Sequence, residues 1–273
     1  MKELAIRTIT GISLIILFAG SLLLGPIAFL TVVVLIYIQG LRELGGAMAG
    51  MHEPGGQKTV IRTHWLAVHA FSGAMILLLT MLGLQYQVSP AWFILPLLTW
   101  STACLASDKL FGILSLFWLT VPLAAFFGLG WMDSGGSYHP FLPLAVIALV
   151  WINDTLAFLA GRLLGRHRMT PVLSPGKTWE GFFGGLLFTL FGGWLTFHFL
   201  GRYSAAEWLI LAVIISIFGF LGDLFESKLK RTMGVKNTGN LLPGHGGILD
   251  RFDSLLFVAP VVLFLIILLN ILR

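Results

Sequence analysis

Residues 255–272, LLFVAPVVLFLIILLNIL, carry no charge and a single polar side chain, Asn270. A helix rising 1.5 Å per residue needs about 20 such residues to cross the roughly 30 Å hydrocarbon core of a bilayer, so this run reads as a transmembrane helix. Toward the N-terminus the same texture recurs at 208–225, 182–200, 141–160, 110–130, 91–106, 66–84, 27–40 and 9–24. The expected fold is therefore all-α, a polytopic integral membrane protein of about nine transmembrane helices. Composition agrees: 57% of the 273 residues are hydrophobic and 11% are charged, against about 25% charged in soluble domains. No polar stretch is long enough for a separate soluble domain. Residues 1–273 thus read as one transmembrane domain, with a helical hairpin and cytoplasmic loop over 1–65 and the catalytic half over 141–273. Segments 9–24 and 27–40 are short, and Gly25-Pro26 between them suits a hairpin that enters the bilayer part-way.

With nine spans, all 17 lysines and arginines fall on one side except Arg202 and Arg273. The positive-inside rule puts that side, with the N-terminus and both large polar loops, in the cytoplasm. The expected location is the cell (inner) membrane, with the active site facing the cytoplasm, where nucleotides are. A formal charge of +5 dispersed over short loops is a topology signal, so no nucleic-acid partner is expected. Cys104 is the only cysteine, which excludes an intramolecular disulfide and a cysteine-cluster zinc site. Lys2 and Arg7 before the first apolar run resemble the start of a signal peptide, but no small-residue cleavage site follows, and the run reads as an uncleaved span. A homodimer is left open.

Polar chemistry concentrates just before the last span. Residues 227–253, SKLKRTMGVKNTGNLLPGHGGILDRFD, hold Lys228, Lys230, Arg231, Lys236, Asp250, Arg251 and Asp253 beside the turn Pro243-Gly244-His245-Gly246-Gly247. Binding a phosphate-bearing substrate through a metal explains that mixture. Asp223 and Glu226, three residues apart, project from nearly one helical face, and Asp250 and Asp253 repeat the spacing. Two carboxylate pairs facing one compartment suit Mg2+, which takes one or two carboxylates and completes its octahedron with water and phosphate oxygens. The plainer reading is that Asp250 and Asp253 favour a helix N-terminus and bridge to Arg251 or Lys230. The glycines let backbone N–H groups converge on an anion, or simply permit a tight turn. His245 is placed to donate to a phosphate oxygen or to serve structure. The lysines and arginines are phosphate clamps or a cytoplasmic stop signal.

Asp154 lies inside the otherwise apolar 141–160 span, where an ionised carboxylate costs several kcal/mol unless paired or bound to a cation. It marks a site, or it pairs with Arg162. Residues 174–181, SPGKTWEG, contain Gly-Lys-Thr, but Pro171 stands where a P-loop needs its first glycine. What remains is a short polar loop whose Ser174 and Lys177 lead into a helix N-terminus, a setting that suits phosphate. Gly184-Gly185 and Gly192-Gly193 suit close helix packing.

The pattern carried by Ser227, Lys230, Arg231, Pro243, His245, Gly246, Gly247, Asp250, Arg251 and Asp253 resembles the signature of the phosphatidate cytidylyltransferases, also called CDP-diacylglycerol synthases. Asp154, Gly161-Arg162, Gly165, Ser174-Pro175, Lys177-Thr178 and Glu180-Gly181 also look like that family. The resemblance implies that phosphatidate attacks the α-phosphorus of CTP, releasing pyrophosphate and leaving CDP-diacylglycerol. It implies CTP, phosphatidate and the lipid bilayer as partners and Mg2+ as cofactor. On that basis Asp223 and Asp250 are the leading metal ligands, with Asp154 and Asp253 in support. Lys230 and Arg231 join Asp223, Asp250 and Asp253 as catalytic residues. Ser174, Lys177, Ser227, Lys236, Asn237, His245, Gly246, Gly247 and Arg251 bind substrate. Asn237 departs from the family pattern, which has aspartate there; an amide oxygen binds a divalent cation more weakly than a carboxylate does.

Overall fold

A computed structural model describes residues 2–49, 63–87, 89–132, 137–171, 173–241 and 246–273. Its helices are α1 (Lys2–Leu24), α2 (Pro26–Met48), α3 (Thr63–Tyr86), α4 (Ile94–Ala106, entered through a 3-10 turn at Pro90–Phe93), α5 (Lys109–Leu114), α6 (Val121–Gly128), α7 (Phe141–Leu164), α8 (Trp179–Leu200), α9 (Ala205–Thr232) and α10 (Leu249–Leu272). Among the described residues, seven helical stretches are long and apolar enough to cross a membrane, and two apolar stretches, Thr10–Leu24 and Pro90–Ala106, are shorter. The chain is a multi-pass membrane protein.

Helix α2 ends at Met48, not at residue 40 as its apolar run suggests. Arg42-Glu43 stays helical because the Glu43 carboxylate is buried against backbone amides instead of turning to solvent. At 23 residues α2 is long enough to span, so the part-way depth expected from the apolar run does not apply to it. The 110–130 segment is helical from Lys109 to Trp131 but widens to a π-helix at Ser115–Thr120. Pro122 follows at once; its ring cannot donate to the previous turn and crowds the carbonyl four residues back, which the wider winding relieves. Thr120 Oγ1 donates to Ser115 O over 2.7 Å in the same segment.

Contacts divide the chain into two compact units: residues 1–140 with 229–252, and residues 141–228 with 253–273. In the first, Phe29 stacks on Phe127 at 5.1 Å and meets Phe126 edge-on at 5.5 Å. Fully buried His69 faces Ser107 Oγ at 3.2 Å and Ser115 Oγ at 3.4 Å, and Tyr37 Oη donates to the His69 carbonyl. Such pairing satisfies polar groups that lipid cannot.

In the second unit α7 and α8 pack closely along glycines. A Cβ on Gly185 would lie 2.9 Å from Asn153 O, and one on Gly192 would lie 2.7 Å from Leu149 Cδ2. These are the close approaches expected of the glycine pairs. Between α7 and α8 stands the departure from an all-helical chain, an antiparallel pair of short strands, β1 (Arg168–Thr170) and β2 (Ser174–Thr178). Thr178 caps α8 by accepting from Gly181 N at 3.1 Å. Glu180 in the first turn of α8 accepts from the backbone N–H groups of Arg166 and His167 and pairs with His167 Nδ1 at 2.6 Å. Gly176-Lys177-Thr178 is therefore part of a strand and not a strand-to-helix phosphate loop. The expectation of an unstranded polar loop missed this because strands of three and five residues are too short to show a period.

Candidate active site

The second unit gathers four carboxylates from three helices. Asp154 sits in α7, Asp223 and Glu226 in α9 and Asp253 in α10; Ser254, next to Asp253, donates to Asp154 Oδ1, and a Cβ on Gly222, next to Asp223, would lie 2.5 Å from Asp253 O. Lys177, brought in by β2, pairs with Asp223 Oδ2 at 2.7 Å. Its ammonium lies 4.4 Å above the Phe220 ring and donates to the Phe220 carbonyl. Ser227, one turn beyond Asp223, donates to Asp223 Oδ1 at 3.3 Å.

Asp154 lies within a span yet is not sealed among apolar side chains, and a carboxylate at that depth calls for polar partners or a cation. Its Oδ1 accepts from Ser254 Oγ at 3.2 Å and Asn153 Nδ2 at 3.4 Å, while Asn153 Oδ1 accepts from Thr189 on α8. The alternative partner, Arg162, makes no ion pair with it among the described residues. Asp253 is buried and accepts the Ser254 N–H at 2.8 Å.

A different cluster occupies the first unit. Helix α9 ends in a Schellman turn: Val235 N–H donates to Lys230 O and Gly234 N–H to Arg231 O, with Gly234 at φ +70°. Lys230 and Arg231 thus sit together at a helix C-terminus, which favours cations. Lys230 Nζ pairs with Asp250 Oδ1 at 2.8 Å, the side chains being 15% and 8% exposed. Asp250 Oδ2 accepts from Gly247 N at 2.8 Å and Thr238 N at 3.2 Å. This is the plainer ion pair foreseen for Asp250, and it leaves that carboxylate fully engaged. Gly246 is at φ +83°, and a Cβ there would lie 2.7 Å from Asp250 Oδ2. At the described end of that turn and just beyond it, Gly247 N–H goes to Asp250 at 2.8 Å, and Ile248 and Leu249 N–H go to Glu43, each at 3.0 Å.

Arg231, Lys236, Asn237 and Arg251 are exposed, and Ser174 is half-buried in β2. His245 lies outside the described residues. Asp223, Asp253, Asp154, Lys177 and Ser227 fall in the second unit, whereas Asp250, Lys230, Arg231, Lys236, Asn237, Gly246, Gly247 and Arg251 fall in the first. Sequence reading missed Glu43, Thr238 and Ser254. An acid set directly after the apolar run 27–40, amid Leu41, Leu44 and Gly45, was the available signal for Glu43.

Among the described residues no three acidic, histidine or cysteine side chains converge closely enough to grasp a metal unaided. The donors of the second unit still fit magnesium. All are hard oxygens, and the ion characteristically takes only one or two carboxylates and fills its shell with water and phosphate.

The sequence profile of the cytidylyltransferase family matches residues 5–269. The chain belongs to that family. Among its relatives, a phosphatidate cytidylyltransferase of Staphylococcus saprophyticus is 50% identical over 126 residues, which is 45% of this chain and 48% of the relative. Those of Staphylococcus haemolyticus and Staphylococcus aureus (strain COL) are 51% and 48% identical over the same shares. The chain spans about half the length of the curated relatives it matches.

Proposed function

We propose that this chain transfers the cytidylyl group of CTP to phosphatidate, giving CDP-diacylglycerol and pyrophosphate, on the cytoplasmic side of the cell membrane. The observation that carries the reading is the cluster of Asp154, Asp223, Glu226 and Asp253 with Lys177 in a multi-pass membrane chain. Acids collected in one part of a membrane chain are favoured as anions when a cation, with water and phosphate completing its shell, is shared among them. Membership of the cytidylyltransferase family and the names of the relatives support the same reading.

Asp223, with Asp154 and Asp253 in support, would hold magnesium, which when bound neutralises triphosphate charge and polarises the phosphoryl oxygens. Lys177, Lys230, Arg231 and Lys236 bind phosphate oxygens, and Asp250 orients Lys230 through the 2.8 Å ion pair. An ionised phosphate oxygen of phosphatidate forms the new bond to the α-phosphorus. The bond from that phosphorus to the bridging oxygen breaks, and its electron pair leaves with pyrophosphate. A phosphate monoester is largely ionised at neutral pH, so no side chain has to remove a proton.

Purified protein is incubated with phosphatidate, magnesium and CTP labelled at either the α or the γ phosphate. Label from the α position is expected in the lipid extract. Label from the γ position would make the chain a lipid kinase, and label from neither would reject phosphatidate as the acceptor.

A further inference from the structure

We infer that Glu43, on α2 and far in sequence from residues 227–253, is the positioning residue that holds Thr238 and the start of α10 and, through them, the Lys230–Asp250 pair. The inference rests on the reading of that stretch as phosphate-binding. Glu43 is 5% exposed, and a buried carboxylate is tolerated only when its lone pairs are filled. Oε1 accepts from Gln39 Nε2 at 3.1 Å and Ile248 N at 3.0 Å; Oε2 accepts from Leu249 N at 3.0 Å and Thr238 Oγ1 at 3.5 Å. The two backbone donors belong to the start of α10, where the first N–H groups have no partner within the helix and the dipole favours negative charge. Glu43 therefore occupies the place that an incoming phosphate would otherwise take at this helix end.

The glycines around it are there for clearance. A Cβ on Gly239 would lie 2.7 Å from Glu43 Cδ, and one on Gly247 would run into Glu43 Oε2. Thr238 links the anchor to the site. Its hydroxyl donates to Glu43 and its N–H to Asp250, whose other oxygen holds Lys230. Two carboxylates thus share the donors of Thr238 and of the start of α10, and neutralising Glu43 releases the geometry that sets where the Lys230 ammonium lies.

Glu43→Gln tests this in the full-length chain in phosphatidate-containing detergent micelles. The amide keeps one acceptor oxygen and turns an NH2 group against a backbone N–H. Hydrogen exchange at the Ile248 and Leu249 amides needs no substrate and is expected to accelerate about 10- to 100-fold, the effect of losing a charge-assisted hydrogen bond. The value of kcat/KM for CTP is expected to fall about 10-fold or more, because small misplacements of binding groups are costly, in protein still folded at the assay temperature. Thr238→Val removes one of the four donors to Glu43, keeps the fold if Glu43→Gln does not, and should move both readouts the same way by a smaller factor. Unchanged amide exchange overturns the inference, as does faster exchange with undiminished turnover, which would reduce Glu43 to a stabilising anion. Wild-type protein that transfers no cytidylyl group sinks the proposed function instead, while the exchange arm still decides whether Glu43 holds the start of α10.

Discussion

Replacing Asp223 by asparagine separates a cation ligand from a mere ion-pair partner. The carboxylate meets Lys177 Nζ at 2.7 Å, with the lysine side chain 16% and the aspartate 42% exposed. The aspartate is open to water, so the net value of the pair is that of a screened surface bridge, about 1 kcal/mol at most. Lys177 also keeps its place over the Phe220 ring and its bond to the Phe220 carbonyl when Asp223 is changed. Against a typical stability of about 5–15 kcal/mol, Asp223→Asn remains folded, and its thermal unfolding midpoint in detergent should move by only a few degrees. Turnover should respond differently. Removing one preorganised charge from a phosphoryl site costs about 100- to 1,000-fold in rate, and the magnesium concentration for half-maximal activity should rise. The assay is incorporation of α-labelled CTP into lipid across a magnesium titration. Lys177→Met and the double variant complete a cycle. If Asp223 serves only to hold Lys177, the double variant is no worse than Lys177→Met; if it binds the cation, the double variant is worse by a further large factor. Near-wild-type turnover of Asp223→Asn with an unchanged magnesium profile refutes the assignment.

Asp250→Asn strips the charge from a pair that is almost wholly buried, so a loss of about 3 kcal/mol in stability should accompany the loss of turnover; retention of near-full activity would remove Asp250 from the machinery. Exposed Asn237 should tolerate change to the family's aspartate, with magnesium-dependent turnover maintained or raised, and complete loss of turnover would show that the amide itself is needed. Gly185→Ala drives a Cβ to 2.8 Å from that of Ala157 and 2.9 Å from Asn153 O; overpacking of about 1–3 kcal/mol should lower the unfolding midpoint, and an unchanged midpoint would mean that α7 and α8 can separate freely.

What the sequence discloses here follows from the range of the interactions involved. Apolar runs announce membrane helices because bilayer thickness imposes a length on each run independently of its neighbours. The same rule misjudges α2, since a length criterion stops at the first charge and cannot tell that Glu43 is buried. The β1–β2 hairpin is short enough to leave no periodic trace. Among the acids, spacing on one helix face reveals the Asp223–Glu226 relation, and both lie in the carboxylate cluster with Asp154 and Asp253. Spacing is silent on whether a given acid is engaged. Asp223 and Asp250 look alike as letters three residues before a second acid, yet one is half-exposed beside a lysine and the other has its oxygens taken by Lys230, Gly247 and Thr238.

Glu43 marks where local reading stops. Its hydrogen-bond partners Thr238, Ile248 and Leu249 lie 195, 205 and 206 residues away, beyond any periodicity or capping rule. Two glycines, Gly239 and Gly247, leave room that no turn geometry demands, neither having a positive φ, and what fills that room is the Glu43 carboxylate. At Gly239 and Gly247 the close neighbour is an anion, which suits the amide-rich start of a helix. Gly239→Ala, which adds a Cβ against Glu43 Cδ without touching any charge, should loosen the Ile248 and Leu249 amides as Glu43→Gln does; tight amides in that variant would mean that the backbone at residue 239 yields without Glu43 moving.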